Sequence, residues 1–224
     1  MAASNAGTWN AEAGVWVGDR AIGGDIAVPK PLVIFGYGSL CWRPDTTLEA
    51  FESFPCLIRG WTRLFAQRST DHRGTPEFPG LVATICEVSA LESLPGFDAA
   101  STADSTLGRA YVVPDDEATK VLAELDFREK GGYTRRVVEV TCQRSGDTVN
   151  ALLYSGTVDN PNFWWGDDGC GLDLDRAAAI VASAVGPSGP NVDYLRNLSA
   201  FLDAEGHSDS HVSDLEKRVD ALLS

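Results

Sequence analysis

The sequence predicts an α+β fold on three observations. Strand-like runs fill much of residues 32–113, one amphipathic helix breaks the strand pattern near 118–127, and helical patterns trail behind from residue 174. No internal repeat is visible. At 224 residues the chain fits one domain with appended segments, and 44% hydrophobic residues with 22 glycines suit a globular core with many turns.

Taken in order, residues 1–30 are rich in Ala, Gly and Asn and read as a loosely attached, flexible arm, with Val15-Trp16-Val17 able to dock. The apolar run Leu32–Phe35 is the first strand. Cys56–Gln67 alternates loosely through Leu57, Trp61, Leu64 and Phe65 and reads as one long strand. Leu81–Val88 and Arg109–Val113 are further strands. Between them Ser89–Gly108, full of Ser, Ala, Asp and Thr, reads as a surface insertion. Pro114-Asp115-Asp116-Glu117 opens a helix with acids against the positive end of its dipole. Ala118, Val121, Leu122 and Leu125 give that helix one apolar face, and it ends near Phe127. Arg136–Thr141 and Val149–Tyr154 form a hairpin across Ser145-Gly146-Asp147. Helices follow at Leu174–Val185 and Val192–Ala204. A last helix starts at the capping-box pattern Ser213-Asp214-Leu215-Glu216, with Val212, Leu215, Val219 and Leu222 on one face. The expected organisation is an arm over 1–30, a main domain over 31–205 and a C-terminal helix over 206–224.

A formal net charge of −14, from 32 acids and 18 bases, argues against nucleic acid and anionic membrane as partners, because both need a basic surface. The five cysteines, Cys41, Cys56, Cys86, Cys142 and Cys170, are odd in number and widely spaced, with no C-x-x-C. They read as reduced thiols rather than zinc ligands. No run approaches the ~18 apolar residues of a membrane span, and the N-terminus lacks a signal-peptide layout. The expectation is a soluble, cytoplasmic protein.

Two short segments carry the chemistry. In Phe35-Gly36-Tyr37-Gly38-Ser39-Leu40 a strand ends in a glycine-bracketed turn, where N–H groups can converge on a carboxylate. A Rossmann reading fails for want of the third glycine, and a phosphate loop for want of G-K-[ST]. In Arg128-Glu129-Lys130-Gly131-Gly132-Tyr133 an acid stands between two bases at a helix end. From spacing alone the turn is either a plain reversal or a binding cradle, and Glu129 either a solvated charge or a general base. Asp71-His72 offers a weaker base pair, and no serine sits in GxSxG. His207 and His211 lack further metal ligands nearby, and Trp164-Trp165 either lines a pocket or anchors a loop.

These stretches carry a resemblance. Val33–Leu40, Ser69–Pro76, Leu125–Tyr133, Gly156–Pro161, Gly186–Gly189 and Asn191–Leu195 match, in one order over roughly residues 32–205, motifs of the ChaC-like, glutathione-specific γ-glutamylcyclotransferases, which the chain resembles. The resemblance implies a compact mixed β-barrel with flanking helices that works without cofactor or metal. It implies glutathione as substrate, converted to 5-oxoproline and Cys-Gly. It assigns Glu129 as general base and Gly36, Tyr37, Gly38, Ser39, Leu40 and Cys41 as the turn that binds the γ-glutamyl group. That turn is expected to line the main polar pocket and to face Glu129. The chain departs from the family at Ala66 and Arg68, where Trp and Gly are usual, at Cys41 for Ile, and at Phe163-Trp164-Trp165 for Tyr-Leu-Gly. Other γ-glutamyl amino acids or amines, and a non-catalytic γ-glutamyl-peptide binder, are the alternative readings.

Overall fold

The computed structural model describes residues 8–12, 15–17, 26–44, 46–129 and 131–224. It opens with an antiparallel pair, β1 (Thr8–Asn10) and β2 (Val15–Val17), in which Trp9 meets Trp16 edge-on at 5.8 Å. These residues lie within the expected arm and include the Val15-Trp16-Val17 stretch read as able to dock. Trp16 docks against the later Gly131-Gly132 turn, where a Cβ on Gly132 would come within 2.5 Å of its ring. Residues 1–7, 13–14 and 18–25 of the expected arm lie outside the described residues.

Strand β3 (Leu32–Gly36) leads through a single 3₁₀ turn, Ser39–Cys41, to the short α1 (Thr46–Glu49). β4 (Ser53–Arg59) and β5 (Trp61–Ser69) replace the single long strand expected over Cys56–Gln67. The break is Gly60, whose φ of +75° an L side chain rarely adopts. β6 (Gly80–Glu87), α2 (Val88–Leu91) and β7 (Ser105–Val113) follow. The expected surface insertion over Ser89–Gly108 is corrected at both ends, since Leu91 is buried and Ser105–Gly108 is strand. Its small polar residues conceal a buried strand: the Thr106 hydroxyl donates to the Trp61 carbonyl at 3.0 Å. A Cβ on Gly108 would press within 2.5 Å of the Phe35 ring.

Helix α3 (Ala118–Arg128) begins after the Asp115–Glu117 turn rather than within it, and buries Val121 and Leu125. β8 (Tyr133–Cys142) and β9 (Thr148–Gly156) form the expected hairpin, longer at both ends. α4 (Leu174–Ser183) stops before Val185, which is exposed. α5 (Asn191–Ala204) precedes α6 (Ser210–Leu223). α6 starts earlier than the capping box suggests: Asp209 caps it, accepting from the Val212 N–H at 3.1 Å. Leu222 is exposed, because the final turn runs past the core.

β3, β7, β4, β8 and β9 close into a barrel in that order, antiparallel except for the β9–β3 seam, where Ile34 pairs with Leu152 and Phe35 with Leu153. Strand period explains the layering. Val33 and Phe35 point inward with Ala110, Val140, Ala151 and Leu153. Leu32 and Ile34 point outward to Val121 and Leu125 of α3. β5 and β6 pair separately, and their apolar face packs against α4, α5 and α6 through Phe65, Ala83, Val181, Leu195, Leu198 and Leu215. The chain is thus a mixed α+β fold with a closed barrel and flanking helices. No helix of the described residues is long and apolar enough to cross a membrane.

Candidate active site

The end of β3 sets up the glycine turn. Every carbonyl from Gly36 to Leu40 accepts an internal hydrogen bond. The Cys41 thiol donates to Gly36 O at 3.4 Å, Arg63 Nε to Tyr37 O at 3.2 Å, and Cys41 N–H to Gly38 O at 2.9 Å. Arg43 N–H donates to Ser39 O at 2.7 Å, and the Tyr111 hydroxyl donates to Leu40 O. Gly38 has no room for a side chain, because the Tyr194 Oη would lie 2.5 Å from a Cβ. Tyr194 is buried and meets Trp42 and Phe65 edge-on at 5.0 and 5.9 Å. Burial pushes the Cys41 thiol up to about 12, so it is a neutral donor and not a nucleophile.

Glu129 is the residue where α3 ends, its N–H still bonded to Leu125 O at 2.8 Å. Gly132, at φ +84°, then turns the chain into β8. Arg128 joins the two motifs: its Nη2 donates to Ser39 Oγ at 2.6 Å, and its Nε lies 3.4 Å from Glu129 Oε1. Both side chains are largely buried, at 26% and 20% exposure, so this contact is better shielded than a solvated ion pair. Lys130 lies outside the described residues. The phenols of Tyr37 and Tyr133 are close by, and both are held neutral, well above the usual tyrosine range. Burial is the main cause for each, and the Glu129 charge adds to it.

A second polar group borders the same place. Gly156 pairs with Tyr133 in the β8–β9 ladder. Around the position of its missing Cβ stand Gln67 Oε1 at 2.9 Å, Asn160 Nδ2 at 3.6 Å and Thr84 Oγ1 at 3.7 Å. Asn160 Nδ2 donates to Gly132 O at 3.1 Å and so ties β9's exit to the Glu129 turn. Arg128, Tyr194, Gln67, Thr84 and Asn160 escaped the sequence reading. Of these, Asn160 and Tyr194 stood within matched motifs, and Arg128 was read there only as Glu129's charged neighbour.

The other sequence candidates sit elsewhere or serve the scaffold. His72 and Asp71 are exposed, 3.9 Å apart. Arg73 in the same loop is buried and donates to Pro190 O at 2.8 Å, tying the loop to the start of α5. His211 is buried and accepts the Phe65 N–H at 2.8 Å. Among the described residues no three potential metal ligands come together. Trp164 and Trp165 anchor their loop, with indole N–H bonds to Asp167 at 3.2 Å and to Pro95 O at 2.7 Å. Trp165 packs in one cluster with Ala66, so the small residue at 66 is matched by a large one at 165. A surface concavity of about 620 Å³ lies over Ile58, Trp61, Glu87, Arg136 and Val138 and includes neither the glycine turn nor Glu129. That concavity is therefore separate from both motifs. The turn and Glu129 are joined through Arg128, with the phenols of Tyr37 and Tyr133 close by.

Residues 32–222 match a family model described as ChaC-like protein. The chain is similar to the glutathione-specific γ-glutamylcyclotransferase of Schizosaccharomyces pombe, 37% identical over 84% of this chain and 92% of that one. It is also similar to glutathione-specific γ-glutamylcyclotransferase 1 of Homo sapiens, 34% identical over 87% of this chain and 81% of that one. A crystal structure of a γ-glutamyl cyclotransferase specific to glutathione from yeast superposes with a TM-score of 0.71 at 28% identity, covering 85% of this chain and 96% of that one.

Proposed function

The chain belongs to the ChaC-like family, and from that premise we propose that it is an enzyme that degrades glutathione, closing the γ-glutamyl group on itself to release 5-oxoproline and Cys-Gly. The observation that carries this reading is the Ser39–Arg128–Glu129 chain of contacts, which joins the glycine turn to the one acid of the Arg-Glu-Lys-Gly-Gly-Tyr stretch. The main domain over 31–205 holds both parts. An acidic surface of net charge −14 supports a small-molecule substrate rather than nucleic acid or an anionic membrane. Five free cysteines fit a reducing compartment, which we take to be the cytoplasm.

Glutathione carries its own nucleophile, because the glutamyl α-amine reaches the γ-carbonyl in a five-membered ring and part of the proximity advantage is built in. The obstacle is a proton: an α-ammonium of pKa about 8 is mostly cationic at neutral pH. Glu129 takes that proton. The amine attacks the γ-carbon, the bond to the cysteinyl nitrogen breaks, and the proton held by Glu129 passes to that nitrogen as it leaves. The second proton of the attacking nitrogen follows to the released amine. At the turn from Gly36 to Cys41 the carbonyls up to Leu40 are engaged within the protein, so a carboxylate there meets N–H groups, the Ser39 hydroxyl and the Arg128 charge. The neutral phenols of Tyr37 and Tyr133 donate hydrogen bonds without adding charge.

Purified protein incubated with glutathione is expected to yield 5-oxoproline and Cys-Gly by mass spectrometry. Glu129→Gln keeps size and hydrogen bonding but removes basicity, so kcat should fall by a factor on the order of 10²–10⁴ with KM little changed. A Glu129→Gln enzyme with near-normal kcat would remove Glu129 from the mechanism. Equal kcat/KM for γ-glutamyl-alanine and glutathione would move the enzyme to the broader substrate class.

A further inference from the structure

Among the described residues five buried side-chain polar atoms have no hydrogen-bond partner: Trp16 Nε1, Gln67 Oε1, Thr84 Oγ1, Arg109 Nε and Ser155 Oγ. Orphans of this kind are rare in folded proteins, because each has given up water and gained nothing in exchange. Two of the five converge. Gln67 and Thr84 are 3% and 0% exposed, and their oxygens stand 2.9 and 3.7 Å from the same point, the missing Cβ of Gly156. Ser155 precedes Gly156, but strand alternation sends its side chain to the other face.

The convergence is built by a bulge. In the β5–β6 pair Leu64 faces Thr84 and Phe65 faces Ala83, yet Gln67 faces Val82, so Ala66 is the extra residue. An unbroken register would pair Gln67 with Leu81 and turn it toward the face that packs on the helices. The bulge turns it instead to the face of Val82 and Thr84. Gly156 has no side chain to fill the gap, and it pairs with Tyr133, the residue that follows the Glu129 turn. On the opposite side the Thr84 hydroxyl lies beside the Tyr37 phenol, without a hydrogen bond of ordinary geometry between them. Two neutral, dry, unpartnered oxygens therefore stand between the turn that carries Glu129 and the turn that carries Tyr37.

We propose that Gln67 Oε1 and Thr84 Oγ1 are the acceptors for the α-ammonium of the substrate, a subsite that rests on the cyclotransferase reading and deepens it. The chemistry fits on three counts. An ammonium offers three N–H groups, one for each oxygen and one for the Glu129 carboxylate. Once Glu129 has taken its proton, the amine keeps two N–H groups for the same two oxygens, which leaves its lone pair to aim at the γ-carbonyl. Both acceptors are neutral and far too weakly basic to compete with Glu129 for the proton, as a second carboxylate would.

The test compares two ligands in the Glu129→Gln background, where turnover is suppressed: glutathione, and its desamino analogue glutaryl-Cys-Gly, which lacks only the ammonium. Calorimetric affinity for glutathione should fall about tenfold or more in Gln67→Met and in Thr84→Val, the worth of a hydrogen bond to a charged group, while affinity for the desamino analogue changes by less than about twofold. Thr84→Val removes a hydroxyl that has no partner, so the Tm of the ligand-free protein should hold or rise, which separates lost binding from lost folding. Equal losses for both ligands would make these residues part of the pocket's shape only, and no loss for either would remove them from the site. Both results overturn the ammonium subsite. Product formation by the wild-type protein is measured in the same series. Its absence overturns the cyclotransferase reading and the subsite with it, whereas product with unchanged ligand selectivity overturns the subsite alone.

Discussion

A neighbour leaves no room for a side chain at Gly38. The Tyr194 hydroxyl is 2.5 Å from where a Cβ would stand, while the ring carbon Cζ behind it is at an ordinary 3.8 Å. Gly38→Ala should therefore displace Tyr194 and disturb the turn, raising KM for glutathione. Tyr194→Phe removes the one atom in conflict. The double variant Gly38→Ala, Tyr194→Phe should lose less than the two single changes together, with a coupling of about 0.5–3 kcal/mol, the range found for residues in contact. Strict additivity in kcat/KM and in unfolding free energy would show that the two residues act apart. Arg128 teaches a related lesson. It looks like a surface base flanking Glu129, yet it is the contact between the acid and Ser39.

The glycine turn is held by an element far away in sequence. Arg63 on β5, 1% exposed, donates through Nε to Tyr37 O, through Nη2 to Leu107 O, and through Nη1 to Asp209 at 2.7 Å. Asp209 is also the cap of α6. One buried ion pair thus links the last helix, the barrel strand β7 and the glycine turn. Asp209→Ala removes the cap, worth about 1 kcal/mol, and strands a buried guanidinium, for which about 3–5 kcal/mol is usual. Asp209→Asn keeps a capping oxygen and should lose less. Urea unfolding should rank wild type above Asn above Ala, and KM should rise in the same order as Arg63 loses its anchor. An Ala variant as stable as wild type would mean that the pair does not hold α6 to the barrel.

At the scale of the whole molecule, one histidine contributes a pH dependence to stability. Burial pulls His211 down from the usual 6.5 to about 4, with the Arg63 charge acting in the same direction and Asp209 against it. The unfolded chain takes up this proton near 6.5 and the folded one only near 4, so between these values the unfolded state binds more protons. The stabilisation is complete above 6.5 and drains away as pH falls toward 4. One group contributes a slope of at most about 1.4 kcal/mol per pH unit. His207, half-buried, shifts in the same direction. Unfolding free energies at pH 7.5 and at about pH 5 should show the decline, and His211→Gln, which can still accept the Phe65 N–H, should flatten it. An unchanged slope in that variant would place the titration elsewhere.

Local pattern carried much of this protein. The apolar run at Leu32–Phe35, the apolar face of α3 and the Ser145-Gly146-Asp147 hairpin are written in neighbouring residues, and the structure keeps all three. The glycine turn and Glu129 stood out as short motifs of adjacent residues, but spacing left a plain reversal and a solvated charge open, and it was the family resemblance that assigned their expected roles. Gly60 breaking a strand was harder to see, because its neighbours on both sides alternate alike. Ser105–Gly108 was hidden because Leu107 is its one large apolar side chain, and its partners also bury Thr106 and Gly108. The parallel seam of Ile34 and Phe35 with Leu152 and Leu153, the bulge that turns Gln67 toward Thr84, and the partners of Arg63 and Tyr194 belong to tertiary structure alone. Helix period, strand alternation and turn chemistry act over a few bonds and are set by the residues that display them. Whether a lone polar side chain is solvated, paired or left dry beside a reacting group depends on what closes over it from remote parts of the chain, and only the folded barrel decides that.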